Sequence, residues 1–143
     1  MEENNTYISI VVPTFNEEEN VANLHKEILP VCKSFNRSFE IIFVNDGSSD
    51  NTVDELNKLS PVTIVNFRKN FGQTAALDAG IKAASGELII AMDADLQNDP
   101  ADIPKLITKL NEGYDVVSGW RKNRKDSFMK KFTSRGANLL RKF

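Results

Sequence analysis

Short β-branched apolar runs alternate along this chain with longer stretches whose apolar residues recur at helical spacing. Ile8 to Val12 is the first strand, closed by Pro13. Asn16 reads as the N-cap of a helix whose first turn, Glu17, Glu18 and Glu19, suits the positive end of the helix dipole. Pro30 ends or kinks that helix near Leu29. Phe39 to Asn45 is a second strand. It runs into the turn-rich Asp46-Gly47-Ser48-Ser49-Asp50 and a short helix from about Asn51 to Leu59. Pro61 precedes a third strand, Val62 to Phe67. The next helix, about Gln73 to Ala84, carries Ala75, Ala76, Ala79 and Gly80, small enough to approach a sheet closely, and Gly86 reads as its stop. Glu87 to Met92 is a fourth strand. Asp99 and Pro100 are the cap and first-turn proline of a further helix closed by Gly113. Asp115 to Ser118 reads as a fifth strand and Asp126 to Phe143 as a basic helix. Strand and helix alternate, which predicts an α/β fold: a mainly parallel sheet with helices on both faces.

Length adds a bound, since 143 residues suit one hydrophobic core. Charge changes the picture more. Met1 to Trp120 holds 9 Lys and Arg against 19 Asp and Glu, whereas Arg121 to Phe143 holds 9 basic residues and a single acid, Asp126. The expected organisation is therefore a core over residues 1–120 and a basic amphipathic segment over 121–143. In that segment Phe128, Phe132, Gly136, Leu139, Leu140 and Phe143 share one face. An anionic membrane surface is the expected partner. Nucleic acid is disfavoured because the rest of the chain is acidic. The polar, acidic start from Met1 to Thr6 does not read as a signal peptide, and no apolar run reaches the ~18 residues of a membrane span. A cytoplasmic protein, peripheral at the inner face of the membrane, is expected. Cys32, the single cysteine, reads as a core or half-buried thiol, His25 as a surface or packed histidine, and Trp120 as core or pocket lining.

In an open parallel sheet, ligands bind beyond the carboxyl ends of the strands. Those ends deliver Thr14, Asn16 and Glu17; Asp46 and Gly47; Arg68, Lys69 and Asn70; Asp93, Asp95 and Gln97; and Gly119, Trp120 and Arg121. Glu17, Asp46, Asp93 and Asp95 would converge on one cleft, where their repulsion calls for a cation. Asp93 and Asp95, one residue apart at the end of an apolar strand, suit a hard divalent cation that draws its other oxygens from a bound diphosphate. A solvated loop with a helix cap is the plainer alternative. Arg68-Lys69-Asn70-Phe71-Gly72-Gln73 offers two cations and unpaired backbone donors at a helix N-terminus, a phosphate site or else a charged surface loop. Asp46-Gly47-Ser48 either grips a base or ribose or is a turn. No Gly-x-Gly-x-x-Gly follows the first strand, which disfavours a dehydrogenase.

Three motifs, Pro13-Thr14-Phe15-Asn16-Glu17, Val44-Asn45-Asp46-Gly47-Ser48-Ser49-Asp50-Asn51-Thr52 and Met92-Asp93-Ala94-Asp95-Leu96-Gln97, resemble in order and spacing the family 2 glycosyltransferases of GT-A fold. Arg68-Lys69-Asn70-Phe71-Gly72-Gln73 and the basic stretch after Arg121 are most similar to the polyprenyl-phosphate branch, that of dolichol-phosphate mannose synthases and undecaprenyl-phosphate glycosyltransferases. The resemblance implies inverting transfer of a sugar from a nucleoside-diphosphate sugar to a polyprenyl phosphate, with Mg2+ or Mn2+. By the same resemblance Asp46 contacts the base and Pro13, Thr14, Asn16 and Glu17 line its pocket. Asp93, Ala94, Asp95 and Gln97 surround metal and diphosphate, with Asp93, Asp95 and Gln97 as metal ligands, and Arg121 faces a phosphate. Gly47, Arg68, Lys69, Gly72 and Gln73 complete the expected donor site. Members of the family run longer, so the chain is expected to stop after the nucleotide-sugar-binding half. A catalytically incomplete nucleotide-sugar-binding or membrane-associated module, and a transferase acting on a saccharide, are the alternatives.

Overall fold

The computed structural model describes residues 6–119. The basic segment, Trp120 and Arg121 lie outside the described residues. Two compact units divide the chain, Met1–Lys105 and Leu106–Phe143.

The first unit is built on four parallel strands: β1 (Ile8–Thr14), β2 (Phe39–Asn45), β3 (Thr63–Asn66) and β4 (Leu88–Ala91), in the order β3-β2-β1-β4. The register is continuous, Ile8 opposite both Phe39 and Leu88. The chain steps from β1 to β2 to β3 in one direction, then crosses to β4 on the other side of β1. Right-handed crossovers in opposite directions place helices on opposite faces. Helix α1 (Val21–Ser34) and helix α2 (Thr52–Leu56) belong to the first direction, and helix α3 (Gln73–Ala83) to the return. The reversal between β1 and β4 is a topological switch point, where a crevice opens beyond the strand ends.

Packing follows the pleat. Val11, Ile42 and Val44 form one buried cluster with Ala76 of α3, flanked by Val65, Phe67, Leu77 and Ala79. The small residues of α3 serve the close approach expected of them, since a Cβ on Gly80 would strike the Val11 side chain. Ile8, Ile10, Val12, Ile41 and Phe43, which alternate with that cluster, are buried too, as is the stripe Val21, Leu24, Ile28 and Cys32 of α1. Burying both faces of the sheet is what the near-continuous apolar strands require. Burial pushes the Cys32 thiol up to about 11, so it stays protonated and inert. His25 is also buried, 7% exposed, and its Nε2 has no hydrogen-bond partner among the described residues.

Several sequence expectations need correction. β1 does not stop at Pro13 but runs to Thr14. Val11 C=O faces β4 and Thr14 C=O faces β2, so Pro13 points toward the β4 side, where β4 has already ended at Ala91. Its missing N–H therefore breaks no ladder. α1 starts at Val21 with Asn20 as N-cap, and runs through Pro30 to Ser34. Pro30 lies on the exposed side, where water can satisfy the carbonyl it leaves without a donor. α3 ends at Ala83, before Gly86. Gly86 instead serves a close approach: its N–H donates to Ser9 Oγ at 2.8 Å, and a Cβ there would lie 2.6 Å from that oxygen. Asp99 caps the next turn as expected, accepting from Ala101 N–H ahead of a 3-10 turn (Pro100–Asp102) and helix α4 (Ile103–Leu110). The expected fifth strand is absent among the described residues. Residues 115–119 have no ladder partner, and Val116 is 83% exposed. A two-valine apolar run does not make a strand without a neighbour to pair with.

Candidate functional site

The loops after β1, β2 and β3 are cross-braced by hydrogen bonds, and this frame shapes the site. Asn16 is not a helix cap. It sits in the left-handed region (φ 53°), receives Ser49 N–H on Oδ1 at 2.8 Å and donates its own N–H to Ser48 Oγ at 3.0 Å. Glu17 N–H donates to Thr52 Oγ1, Glu18 N–H to Asp50, and Asn51 N–H to Glu18. Burial raises the Asp50 carboxyl, but the Thr52 hydroxyl and the N–H groups of Thr52 and Glu18 outweigh it and hold it below its ordinary value. The polar residues of the first two motifs thus bind each other and fix the loop after β1 against the loop after β2.

A second brace joins the loops after β2 and β3. Asp46 is 3% exposed, and both its carboxylate oxygens are occupied: Oδ1 accepts Phe71 N–H at 2.7 Å and Oδ2 accepts Gly72 N–H at 2.9 Å. Gly72 is the N-cap of α3 (φ 96°), so a carboxylate of the chain itself already sits at this helix N-terminus. The unpaired donors expected for a phosphate are therefore partly taken. Gly47 locks the same contact. Its φ is +67°, and a Cβ there would lie 2.6 Å from the Asn70 nitrogen, so only glycine lets the two backbones meet.

Between these braces and the end of β4 lies a cleft of about 340 Å3, lined by Pro13, Thr14, Phe15, Glu17, Asp46, Asn70, Gly72, Gln73, Ala76, Asp93, Ala94 and Asp95. Nine of the expected site residues therefore share one cavity. Asn16, Gly47, Arg68, Lys69 and Gln97 are not among its lining. Asn16 and Gly47 serve the braces. Arg68 and Lys69 are exposed, Lys69 Nζ lying 5.2 Å from the centre of the Phe71 ring. Phe15, Asn70 and Ala76 line the cleft without having been singled out as site residues. The strand-end rule delivers Asn70 to this edge, and Phe15 falls inside the first motif. Arg121 lies outside the described residues.

The four carboxylates do line one cleft, as expected, but they do not make a protein-only metal cage. No group of three acidic, histidine or cysteine side chains among the described residues can hold an ion. Asp93 and Asp95 place two carboxylates beside an open cavity, a donor set of the kind that suits a hard cation drawing its other ligands from substrate oxygens. Their turn is tightly built. Asp95 Oδ1 accepts Gln97 N–H at 3.1 Å across Leu96, which is forced to φ 57°. Leucine in the left-handed region stores strain of the order of 1–2 kcal/mol, as such turns beside functional groups often do. Gln73 Nε2 donates to Asp93 Oδ1 at 2.8 Å.

The family model for glycosyl transferase family 2 matches residues 9–142. The chain belongs to glycosyl transferase family 2. This family 2 chain is 41% identical over 138 residues to undecaprenyl-phosphate 4-deoxy-4-formamido-L-arabinose transferase of Salmonella choleraesuis, a match covering 93% of the chain and 42% of that protein. The counterpart from Salmonella newport gives the same identity and coverage. The chain thus spans about two-fifths of the length of the curated relatives it matches. Among solved structures it is similar to glucosyl-3-phosphoglycerate synthase of Mycobacterium tuberculosis in complex with Mn2+, UDP and glucosyl-3-phosphoglycerate. The TM-score is 0.62 and the identity 26%, over 73% of this chain and 39% of that one. S. aureus TarS shares the fold, with a TM-score of 0.60 at 19% identity over 85% of this chain and 40% of that one. The GT-A architecture expected from the motifs is the fold of this family 2 chain.

Proposed function

We propose that this chain is the nucleotide-sugar-binding portion of a metal-dependent glycosyltransferase that transfers sugar, with inversion, to a polyprenyl phosphate. The observation that carries the reading is the pair Asp93 and Asp95 in the cleft at the β1–β4 switch point. The undecaprenyl-phosphate relatives support the acceptor, and the complex of the mycobacterial synthase with Mn2+ and UDP supports the donor site.

In this reading the nucleoside lies along Pro13, Thr14, Phe15 and Glu17, above the brace that Asp46 holds. Asp93 and Asp95 would hold Mg2+ or Mn2+ with the diphosphate, with Gln97 on the same turn. The cation, when bound, offsets the charge that develops on the leaving diphosphate. A phosphate acceptor is already an anion, so its oxygen can attack the anomeric carbon without first giving up a proton, and the reaction needs no dedicated base for that step. Arg121 would balance a phosphate of acceptor or donor, and the basic segment would bring the cleft to a membrane surface peripherally, from the cytoplasmic side. No helix among the described residues is long and apolar enough to cross a membrane.

The test is calorimetric titration with UDP, GDP and their sugars, with and without Mn2+, on wild type and Asp95→Asn. Wild type should bind one nucleotide more tightly with Mn2+. Asp95→Asn should lose that increment and keep the wild-type circular dichroism. A metal-dependent affinity unchanged in Asp95→Asn sinks the assignment.

A further inference from the structure

The amide of Gln73 belongs, on sequence, to the loop expected to bind phosphate. The structure gives it a different partner, Asp93 Oδ1 at 2.8 Å. Two exposed side chains joined this way usually gain little, because each must be ordered to meet the other. Here the ordering is already done on one side. Gln73 is the first residue of α3, and the two backbone N–H groups just before it are held by the buried carboxylate of Asp46. Gly47 packs on the backbone of the same loop. Gln73 therefore leaves a fixed backbone. The pair also stands at a shared wall: Pro13, Gln73 and Asp93 line both the main cleft and a second recess of about 100 Å3.

We infer that Gln73 is a positioning residue for Asp93, orienting its carboxylate toward the cation instead of holding the diphosphate, and that Asp46 sets Gln73 in place through the Phe71–Gly72 backbone. The inference rests on the proposed metal-dependent reading. Carboxylates that ligate metals are themselves held by hydrogen bonds, and loss of such a partner typically weakens metal binding ~10–100-fold. A Gln amide that donates to Asp93 keeps one N–H in hand, so the role is compatible with an open cleft beside it.

The experiment titrates Mn2+ into the full chain saturated with UDP, and in parallel with GDP, and separately measures each nucleotide without metal. Gln73→Met keeps length and helix propensity but removes the donor; Gln73→Ala repeats the loss with a smaller side chain. Both should bind Mn2+ about tenfold or more weakly. Metal-free nucleotide affinity should stay within about twofold, and the unfolding midpoint should match wild type. In an Asp93→Asn background, Gln73→Met should add less than about twofold, because two residues acting as one unit are not additive. An equal loss of nucleotide affinity with and without Mn2+ would mean that Gln73 holds the diphosphate directly and would overturn the inference. Unchanged Mn2+ binding in both variants would also overturn it. If wild type itself shows no Mn2+-dependent nucleotide binding, the proposed function fails and this inference fails with it.

Discussion

Asp46→Ala separates a carboxylate that holds the protein together from one that only meets a ligand. Asp46 accepts two backbone N–H groups, at 2.7 and 2.9 Å, from a position 3% exposed. Hydrogen bonds to a charged group contribute about 1.5–3 kcal/mol each. The donors are not both sealed: Phe71 is exposed and Gly72 half-buried, so water recovers part of the loss. Removing the charge from the N-terminus of α3 subtracts a further ~0.3–1 kcal/mol. The expected destabilisation is about 2–4 kcal/mol, a large share of the ~5–15 kcal/mol that a domain has in total. At a urea dependence of roughly 2 kcal/mol per molar, the unfolding midpoint should fall by about 1–2 M. Asp46→Asn keeps one acceptor and should fall about half as far.

The assay is urea unfolding followed by circular dichroism, run beside Asp95→Asn as the control. Asp95 uses Oδ1 to accept Gln97 N–H, and an asparagine retains that oxygen, so the control should stay within about 0.5 kcal/mol of wild type. If Asp46→Ala unfolds within about 0.3 M of wild type while its nucleotide affinity collapses, the brace is unimportant and Asp46 acts on the ligand directly. That outcome would refute the reasoning from burial and hydrogen bonds.

Two further predictions rest on different parts of the chain. Glu40 accepts Ser9 Oγ at 2.6 Å, Ser85 N–H at 2.7 Å and Ser85 Oγ at 2.8 Å, fixing the connection before β4 to the far end of the sheet. Burial raises its carboxyl, but these donors together hold it below the ordinary 4.5. A depressed folded value means the stabilisation is present above 4.5 and lost as pH falls through the folded value; the stability difference between wild type and Glu40→Gln should therefore shrink below pH 4.5, and a constant difference would contradict the assignment. The basic segment beyond Trp120 should make the chain sediment with anionic but not neutral vesicles, less so in high salt, and a folded chain cut after Trp120 should stay in solution; equal pelleting of the shortened chain would put the membrane contact elsewhere.

The fold was legible where the chain carries long apolar runs. β2 is Phe39–Asn45 as its pattern predicts, because a strand buried on both faces reads as a near-continuous apolar run, here Ile41 to Val44. The failures are of another kind. Pro13 reads as a strand end because proline removes a donor, yet whether that donor was needed depends on the length of β4, far along the chain. Residues 115–118 read as a strand because valine favours one, yet pairing is a property of two segments and propensity is a property of one. Asn16 followed by glutamates reads as a capped helix start. The structure uses Asn16 in a left-handed turn that ties it to Ser48 and Ser49, a contact no local pattern announces.

The same distinction divides the site. In sequence, Asp46 and Asp93 are equivalent: each is an acidic residue at or just beyond the carboxyl end of an apolar strand, and the strand-end rule sends both to the cleft. What separates them is which groups at the start of α3 reach them. β3 ends at Asn66, and a loop leads from it to the start of α3 at Gln73; the N–H groups of Phe71 and Gly72, the last two residues of that loop, donate to Asp46. Asp93, ahead of the Asp95–Gln97 turn, instead accepts the side-chain amide of Gln73, the first residue of α3. Two backbone donors from a fixed loop that occupy both oxygens of a buried carboxylate tie it to the fold. A single side-chain amide orients a carboxylate with one hydrogen bond, where Asp46 accepts two from backbone. On this argument the acid with two backbone partners belongs to stability first, which is what the urea experiment on Asp46→Ala measures.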